Sequence, residues 1–118
     1  MKKRIDNITS DSTFTSVEIY DRVFKLQVTL YTEDKINIEF MEHWASRLDV
    51  EWNGQEMIER LVFTDQSELL DTTRASLKSL NEPSNNLYSF QALNPFEEVL
   101  VEVIARSLQI GGIPIELS

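Results

Sequence analysis

The chain of 118 residues has no cysteine, a single histidine and only three glycines. Without cysteine there can be no disulfide scaffold, thiol nucleophile or cysteine-ligated zinc. Any serine–histidine–acid arrangement would have to use His43, and no G-x-S-x-G elbow accompanies it. Glycine loops that cradle phosphate are also missing. Gly111 and Gly112 follow a segment read as helical, whereas a phosphate cradle precedes its helix. No apolar run approaches the roughly 20 residues that cross a bilayer. Lys2-Lys3-Arg4 is not followed by an apolar core, so no secretory leader and a cytoplasmic location are expected. Without a leader, the glycosylation pattern Asn7-Ile8-Thr9 carries no weight.

What remains is an ordinary globular composition, 42% hydrophobic and 26% charged. The length suits one domain. Residues 1–13 read as a polar tail or edge segment and residues 14–118 as a single domain, with no repeat, linker or low-complexity stretch.

Acidic side chains number 20 against 11 basic, giving a net charge of −9, which makes a nucleic-acid backbone a poor partner. The excess is uneven. Residues 33–71 carry eleven acidic groups against Lys35, Arg47 and Arg60. Such clustering either keeps a small protein in solution or steers a basic partner. Trp44 and Trp52 bracket the acidic run, and tryptophan is enriched in interface cores. The candidate partner-binding residues are therefore Glu33, Asp34, Glu39, Glu42, Trp44, Asp49, Glu51, Trp52, Glu56 and Glu59.

Between Phe14 and Met41 apolar residues alternate with polar ones, the pattern of half-buried antiparallel strands. Pairing Ile19 with Phe24 sets Val17 opposite Leu26 and Glu18 opposite Lys25, a favourable cross-strand pair, around the loop 20–23. Pairing Leu30 with Ile36 sets Val28 against Ile38 and Leu26 against Phe40. A three-stranded meander follows. Leu48, Val50 and Trp52 predict a further strand, with Asn53-Gly54 as a hairpin signal. Residues 55–63 fit either a helix or a strand, and Leu61-Val62-Phe63 favours the strand.

Residues 65–81 read as a helix. Asp65 and Glu68 form its capping box, Leu69, Leu70, Thr73, Leu77 and Leu80 its buried side, and Pro83 its stop. Residues 87–93 read as extended. A second helix is expected from Asn94, with Pro95 at its first position and Glu97 completing the box. In it Phe96, Val99, Leu100, Val103, Ile104 and Leu108 would be buried, and Gly111-Gly112 would end it. Asn94-Pro95-Phe96 matches a peptide taken by adaptor domains, but a helix start needs Phe96 inside. Ile113, Ile115 and Leu117 form a last extended piece, with Pro114 suited only to an edge.

Chemistry-bearing constellations are few. Glu39, Glu42 and His43 would converge on a metal only if residues 39–43 were helical, and they read as strand, so no metal is expected. The carboxylate pairs Glu33-Asp34 and Glu97-Glu98 discriminate nothing without a shifted pKa. The expected fold is α+β, an antiparallel sheet of four to six strands with two helices packed on one face. The expected function is non-enzymatic and cofactor-free: an acidic protein neutralising a basic protein partner, as an immunity protein does a nuclease toxin or a phage protein does by mimicking nucleic acid. The alternative is a small secretion chaperone or assembly subunit acting as a homo-oligomer. Neither reading involves direct nucleic-acid or membrane contact.

Overall fold

Period-two patterning dominates the chain, and the computed structural model, which describes residues 3–5, 12–49 and 57–117, resolves it into two antiparallel sheets. In chain order the first strands are β1 (Lys3–Ile5), β2 (Ser12–Tyr20), β3 (Val23–Thr29), β4 (Lys35–Met41) and β5 (Ala45–Leu48). They are followed by β6 (Met57–Ile58), β7 (Arg60–Thr64) and the helix α1 (Glu68–Ser79). The chain then forms β8 (Tyr88–Leu93), β9 (Val99–Ala105), β10 (Ser107–Ile110) and β11 (Ile113–Pro114). One sheet has the order β11-β10-β4-β3-β2-β6 and the other β1-β7-β8-β9-β5.

The meander β2-β3-β4 forms as its alternation predicts. Ile19 pairs with Phe24, Val17 with Leu26 and Glu18 with Lys25, and the last pair closes an ion pair of 3.3 Å. The turn is tighter than the expected loop 20–23. Tyr20 also pairs with Val23, leaving Asp21 and Arg22 at φ 45° and 61°, the primed two-residue turn that matches strand twist. Between β3 and β4 the register lies two residues from the expected one: Val28 opposes Ile36, Leu26 opposes Ile38 and Phe24 opposes Phe40. The turn sets this shift, because the Leu30 amide donates to the Asp34 carbonyl (2.8 Å) while Glu33 takes φ 70°. An even shift keeps every side chain on its face, which is why apolar pattern alone does not detect it.

The inner faces of the two sheets share one core. Phe24, Leu26, Ile38 and Phe40 from the meander pack with Leu61, Phe63, Phe90 and Val103, and the Phe40 and Phe90 rings lie 5.3 Å apart. On the outer face of the second sheet, Leu70 and Leu77 of α1 pack with Leu87 and Ile104. The helix starts two residues later than the capping box predicts. Ser67 is the cap, its hydroxyl accepting the Leu70 amide (3.0 Å), and Asp65 stays exposed. Asn81 at φ 58° ends the helix in the left-handed C-terminal position, and Leu80, expected inside, is 68% exposed. Residues 57–58 and 60–64 are strands, as Leu61-Val62-Phe63 suggests. Of the strand expected from Leu48, Val50 and Trp52, only Leu48 lies in one, at the end of β5. Asp49 is not in a strand, and residues 50–52 with Asn53-Gly54 lie outside the described residues.

The second expected helix does not exist. Residues 94–98 close the hairpin between β8 and β9, and residues 99–110 are strands β9 and β10, so α1 is the only helix among the described residues. The physical reason is burial on both faces. Val101, Val103 and Ala105 point into the core between the sheets, while Ile104 points to α1. A strand buried on both faces loses its alternation, and its apolar run also fits a helical wheel. The β-branched residues Val99, Val101, Val103 and Ile104 then favour the strand. The cap signal at Asn94 has a different use: its side chain accepts the amides of Phe96 and Glu98 (both 2.9 Å), closing an Asx turn. Gly111 and Gly112, at φ 60° and 80°, form a two-residue hairpin turn between β10 and β11, with Pro114 on the sheet edge. Among the described residues no helix is long and apolar enough to cross a membrane.

Glu102 separates the two readings experimentally. A helix would present it to solvent, whereas β9 buries it to 3% exposure, where it accepts the Ser89 hydroxyl (2.6 Å) and faces Arg47 across the strand pair (3.5 Å). Glu102→Lys is expected to cost at least about 3 kcal/mol, as for breaking a buried pair, and Glu102→Ala about 1–3 kcal/mol through the orphaned Ser89 hydroxyl. Chemical denaturation of both variants checks this, and a parent-like midpoint for the lysine variant would contradict it.

Candidate interaction surface

The sequence-predicted residues divide into separate groups. Glu33 and Asp34 sit at the exposed β3–β4 turn, where Asp34 accepts the Thr32 hydroxyl (3.1 Å). Glu39 lies on the outer face of the meander sheet, opposite Lys25 and bonded to the Tyr20 hydroxyl (2.9 Å). That hydrogen bond, with lesser desolvation and the charges of Glu39, Glu18 and Asp21, raises the Tyr20 pKa above its ordinary value. Glu42 and Trp44 occupy the corner between β4 and β5. Asp49 and Glu59 lie at the opposite end of the second sheet, and Glu51, Trp52 and Glu56 lie outside the described residues.

The Glu42–Trp44 corner is held from several directions. Arg106 meets the Glu42 carboxylate through Nε (2.7 Å) and donates to the carbonyls of Pro83 (2.7 Å) and Asn85. The Arg22 guanidinium lies 4.1 Å from the centre of the Trp44 ring, and the Arg22 carbonyl accepts the His43 amide (2.7 Å). Trp44 is half-buried against Ala45 and Leu69, lining a groove of about 240 Å³ that ends at Leu80. His43 is also half-buried, its ring 5.4 Å from that of Phe24, and no hydrogen bond reaches its Nε2. Desolvation lowers its pKa below 6.5, against a smaller opposing effect of a backbone hydrogen bond with Ala45. No carboxylate or hydroxyl is bonded to the ring, and among the described residues no group of acidic or histidine side chains could hold a metal ion.

Three residues at this corner, Asp21, Arg22 and Glu42, take positive φ without being glycine. For Arg22 the left-handed backbone costs roughly 1–2 kcal/mol, and the stack on Trp44 returns about 0.5–1 kcal/mol.

At the far end of the second sheet the strands β7, β8, β9 and β5 stand side by side, so their ends fall within about 15 Å at a spacing of ~4.8 Å per strand. The Glu59 amide donates to Leu93 at the end of β8, and the Asp49 amide donates to Leu100 in β9 (both 2.8 Å). Between them stands the turn 94–98, with Glu97 and Glu98 exposed. Arg60 is bonded to Glu97, and Asn94 donates to Glu98 (3.4 Å). Glu59, Arg60, Asn94, Pro95 and Glu97 line a polar cleft of about 220 Å³. Phe96, expected inside a helix, projects from the turn at 82% exposure. Sequence reasoning placed Phe96 inside because the capping signal assigned it to a helix, and for the same reason did not group Glu97 and Glu98 with the partner-binding candidates. The exposed Asn-Pro-Phe reading was available in the same residues.

Comparison of the chain with protein-family models, with curated proteins and with solved structures finds no match. What the surface does must be argued from its own chemistry.

Two predictions come from the Trp44 corner. Arg22→Gly relieves the backbone and loses the stack, so stability should stay within about 1 kcal/mol of the parent, whereas in a Trp44→Ala background the same change should stabilise by about 1 kcal/mol. A double-mutant cycle by denaturant unfolding measures this, and equal effects in both backgrounds would show that the stack contributes nothing. For His43, a folded pKa below the unfolded value means that the unfolded chain binds the extra proton as pH falls through 6.5. The stability present above 6.5 is then lost progressively below it. His43→Phe keeps a ring beside Phe24 and should lose less stability than the parent between about pH 7.5 and about pH 5. Parallel losses in the two proteins would count against the buried neutral histidine.

Proposed function

We propose that this protein is a non-catalytic binding protein whose acidic surface captures a basic protein partner. The observation that carries this reading is the fate of the cations. Arg22 lies on Trp44, Lys25 on Glu18, Arg47 on Glu102, Arg60 on Glu97, Arg106 on Glu42, and Arg74 donates to the carbonyls of Asp65 and Leu87. Six of the described cations are thus engaged within the chain, while among the described residues Glu33, Asp34, Asp49, Glu59 and Glu98 make no ion pair. Each ion pair cancels one charge of either sign, so the excess behind the net charge of −9 rests on carboxylates left without an internal cation.

Such a surface raises encounter rates with a basic protein and supplies complementarity where it docks. Neutralisation of a basic toxin or of a nucleic-acid-binding protein is the function this physics serves. Covering a basic nucleic-acid site with carboxylates removes the counterion-release term on which the toxin's own substrate binding depends.

The test is affinity capture from the source cell, followed by association kinetics with the captured partner at about 0.05 and 0.5 M salt. The parent should associate at least tenfold faster at the lower concentration. Asp49→Lys with Glu98→Lys should slow association more than it speeds dissociation. If the rate is the same at both salts and in the charge-reversed protein, the acidic surface serves only to keep the protein dispersed.

A further inference from the structure

We infer that Phe96 is the anchor by which the partner is held, and that its receptor is an apolar socket with a lysine or arginine beside it. This rests on the reading of the protein as a binder of basic partners and names the chemistry of the contact.

The turn is built to hold the ring in water. Pro95 fixes one backbone torsion, the Asn94 side chain accepts the Phe96 and Glu98 amides, and the Asn94 carbonyl accepts the Glu97 amide (3.0 Å). The Glu98 carbonyl accepts the Asn94 amide (3.1 Å), so the loop is closed at both ends. Phe96 is more exposed than any other large apolar side chain described, including Tyr31 at the β3–β4 turn. An aromatic ring presented on a closed loop loses little freedom on docking, which is the property of an interface anchor.

The surroundings specify the receptor. The cleft next to the turn holds two carboxylates, Glu59 and Glu97, against one guanidinium, and Arg60 is already bonded to Glu97. Glu59 is left for a cation brought by the partner, with Glu98 and Asp49 along the same sheet end. A second copy of this chain answers that demand poorly, because it carries the same net charge of −9 and would set like-charged sheet ends against each other. A basic partner with a phenyl-sized apolar socket answers it well: the ring enters the socket and a neighbouring cation reaches Glu59.

The experiment places a photoreactive benzophenone amino acid at position 96 of the full chain in the source cell, with Tyr31 as the control position. The expected adduct joins position 96 to apolar residues of another protein, flanked by lysine or arginine, and disappears in a Glu59→Lys background. No comparable adduct should form from position 31. With the partner purified, Phe96→Ala should raise Kd at least tenfold while leaving the melting temperature unchanged. An adduct to a second copy, an adduct lacking neighbouring cations, or no adduct at position 96 would each overturn the proposal. If charge reversal abolishes partner capture but position 96 gives no adduct, the anchor is wrong and the acidic-binder reading stands. If partner capture is indifferent to charge reversal, the function reading fails first.

Discussion

A single bend at Arg106 decides how this chain folds. The segment 99–110 is one nearly continuous run of strand, yet its first half pairs within one sheet and its second half within the other. The Arg106 amide donates to Met41 (3.1 Å), fixing where the run crosses to β4, and its guanidinium ties down Glu42, Pro83 and Asn85. Those contacts join the end of β4, the connection after α1 and the β9–β10 junction at one point. The ends of β4 and β10 that meet there start the pairing of Phe40 with Leu108, and thereby the inner face of the meander sheet. A second crossing at Glu59, between β6 and β7, links the sheets again. Two sheets stapled at corners bury their common faces without a long connection, which suits a chain of this length.

The same economy shapes the electrostatics. A small domain with 11 cations has few to spare, and this one uses its arginines as struts between elements distant in sequence: Arg47 to Glu102, Arg60 to Glu97, Arg106 to the segment 83–85. Arginine suits this because its planar fork satisfies several acceptors at once. The unpaired carboxylates are thus partly a consequence of the architecture, since each strut occupies a cation that could otherwise pair with them. Self-repulsion among the remaining carboxylates opposes the compact state, and the basic partner proposed above would relieve it.

How far the sequence could be read depends on how many faces each element buries. The register of the hairpin β2–β3 from Val17 to Ile19 was legible because one of its faces is polar and its outer pair Glu18–Lys25 fixes it. The β3–β4 register escaped by two residues, because Glu33 in a left-handed turn has no signature comparable to glycine or asparagine. The helix α1 was legible as a helix, but Ser67 and Asp65 are both good caps and only tertiary contact chooses between them. Residues 87–93 were legible as extended and form β8, but the helix expected from Asn94 to Gly111 failed: β9 buries both faces, so Val103 and Ile104 fit a helical wheel as well as a strand. The charged candidates were legible as a composition and not as a surface. Glu42 and Asp49 are close in sequence yet lie at opposite ends of β5, whereas Asp49 and Glu98 share an end through pairing that no local pattern reveals.

That failure also hid Phe96. A helix N-terminus and an Asx turn present the same problem, two or three amides lacking acceptors, and asparagine followed by proline solves both. The solutions diverge at the residue after proline. In a helix that residue takes its direction from the helix and here would pack on a sheet; at a hairpin tip nothing packs above it, and an aromatic side chain there stays in water. Exposing a phenyl ring forfeits about 1.5–3 kcal/mol that burial would have returned. The sheet beneath recovers part of its stability through backbone pairing of Leu93 with Val99 at the base of the turn. In the proposed reading, steering charge and apolar anchor divide the work of binding between them: the carboxylates at the strand ends would act on approach, over a distance set by salt, and the ring after contact, on how long the complex lasts.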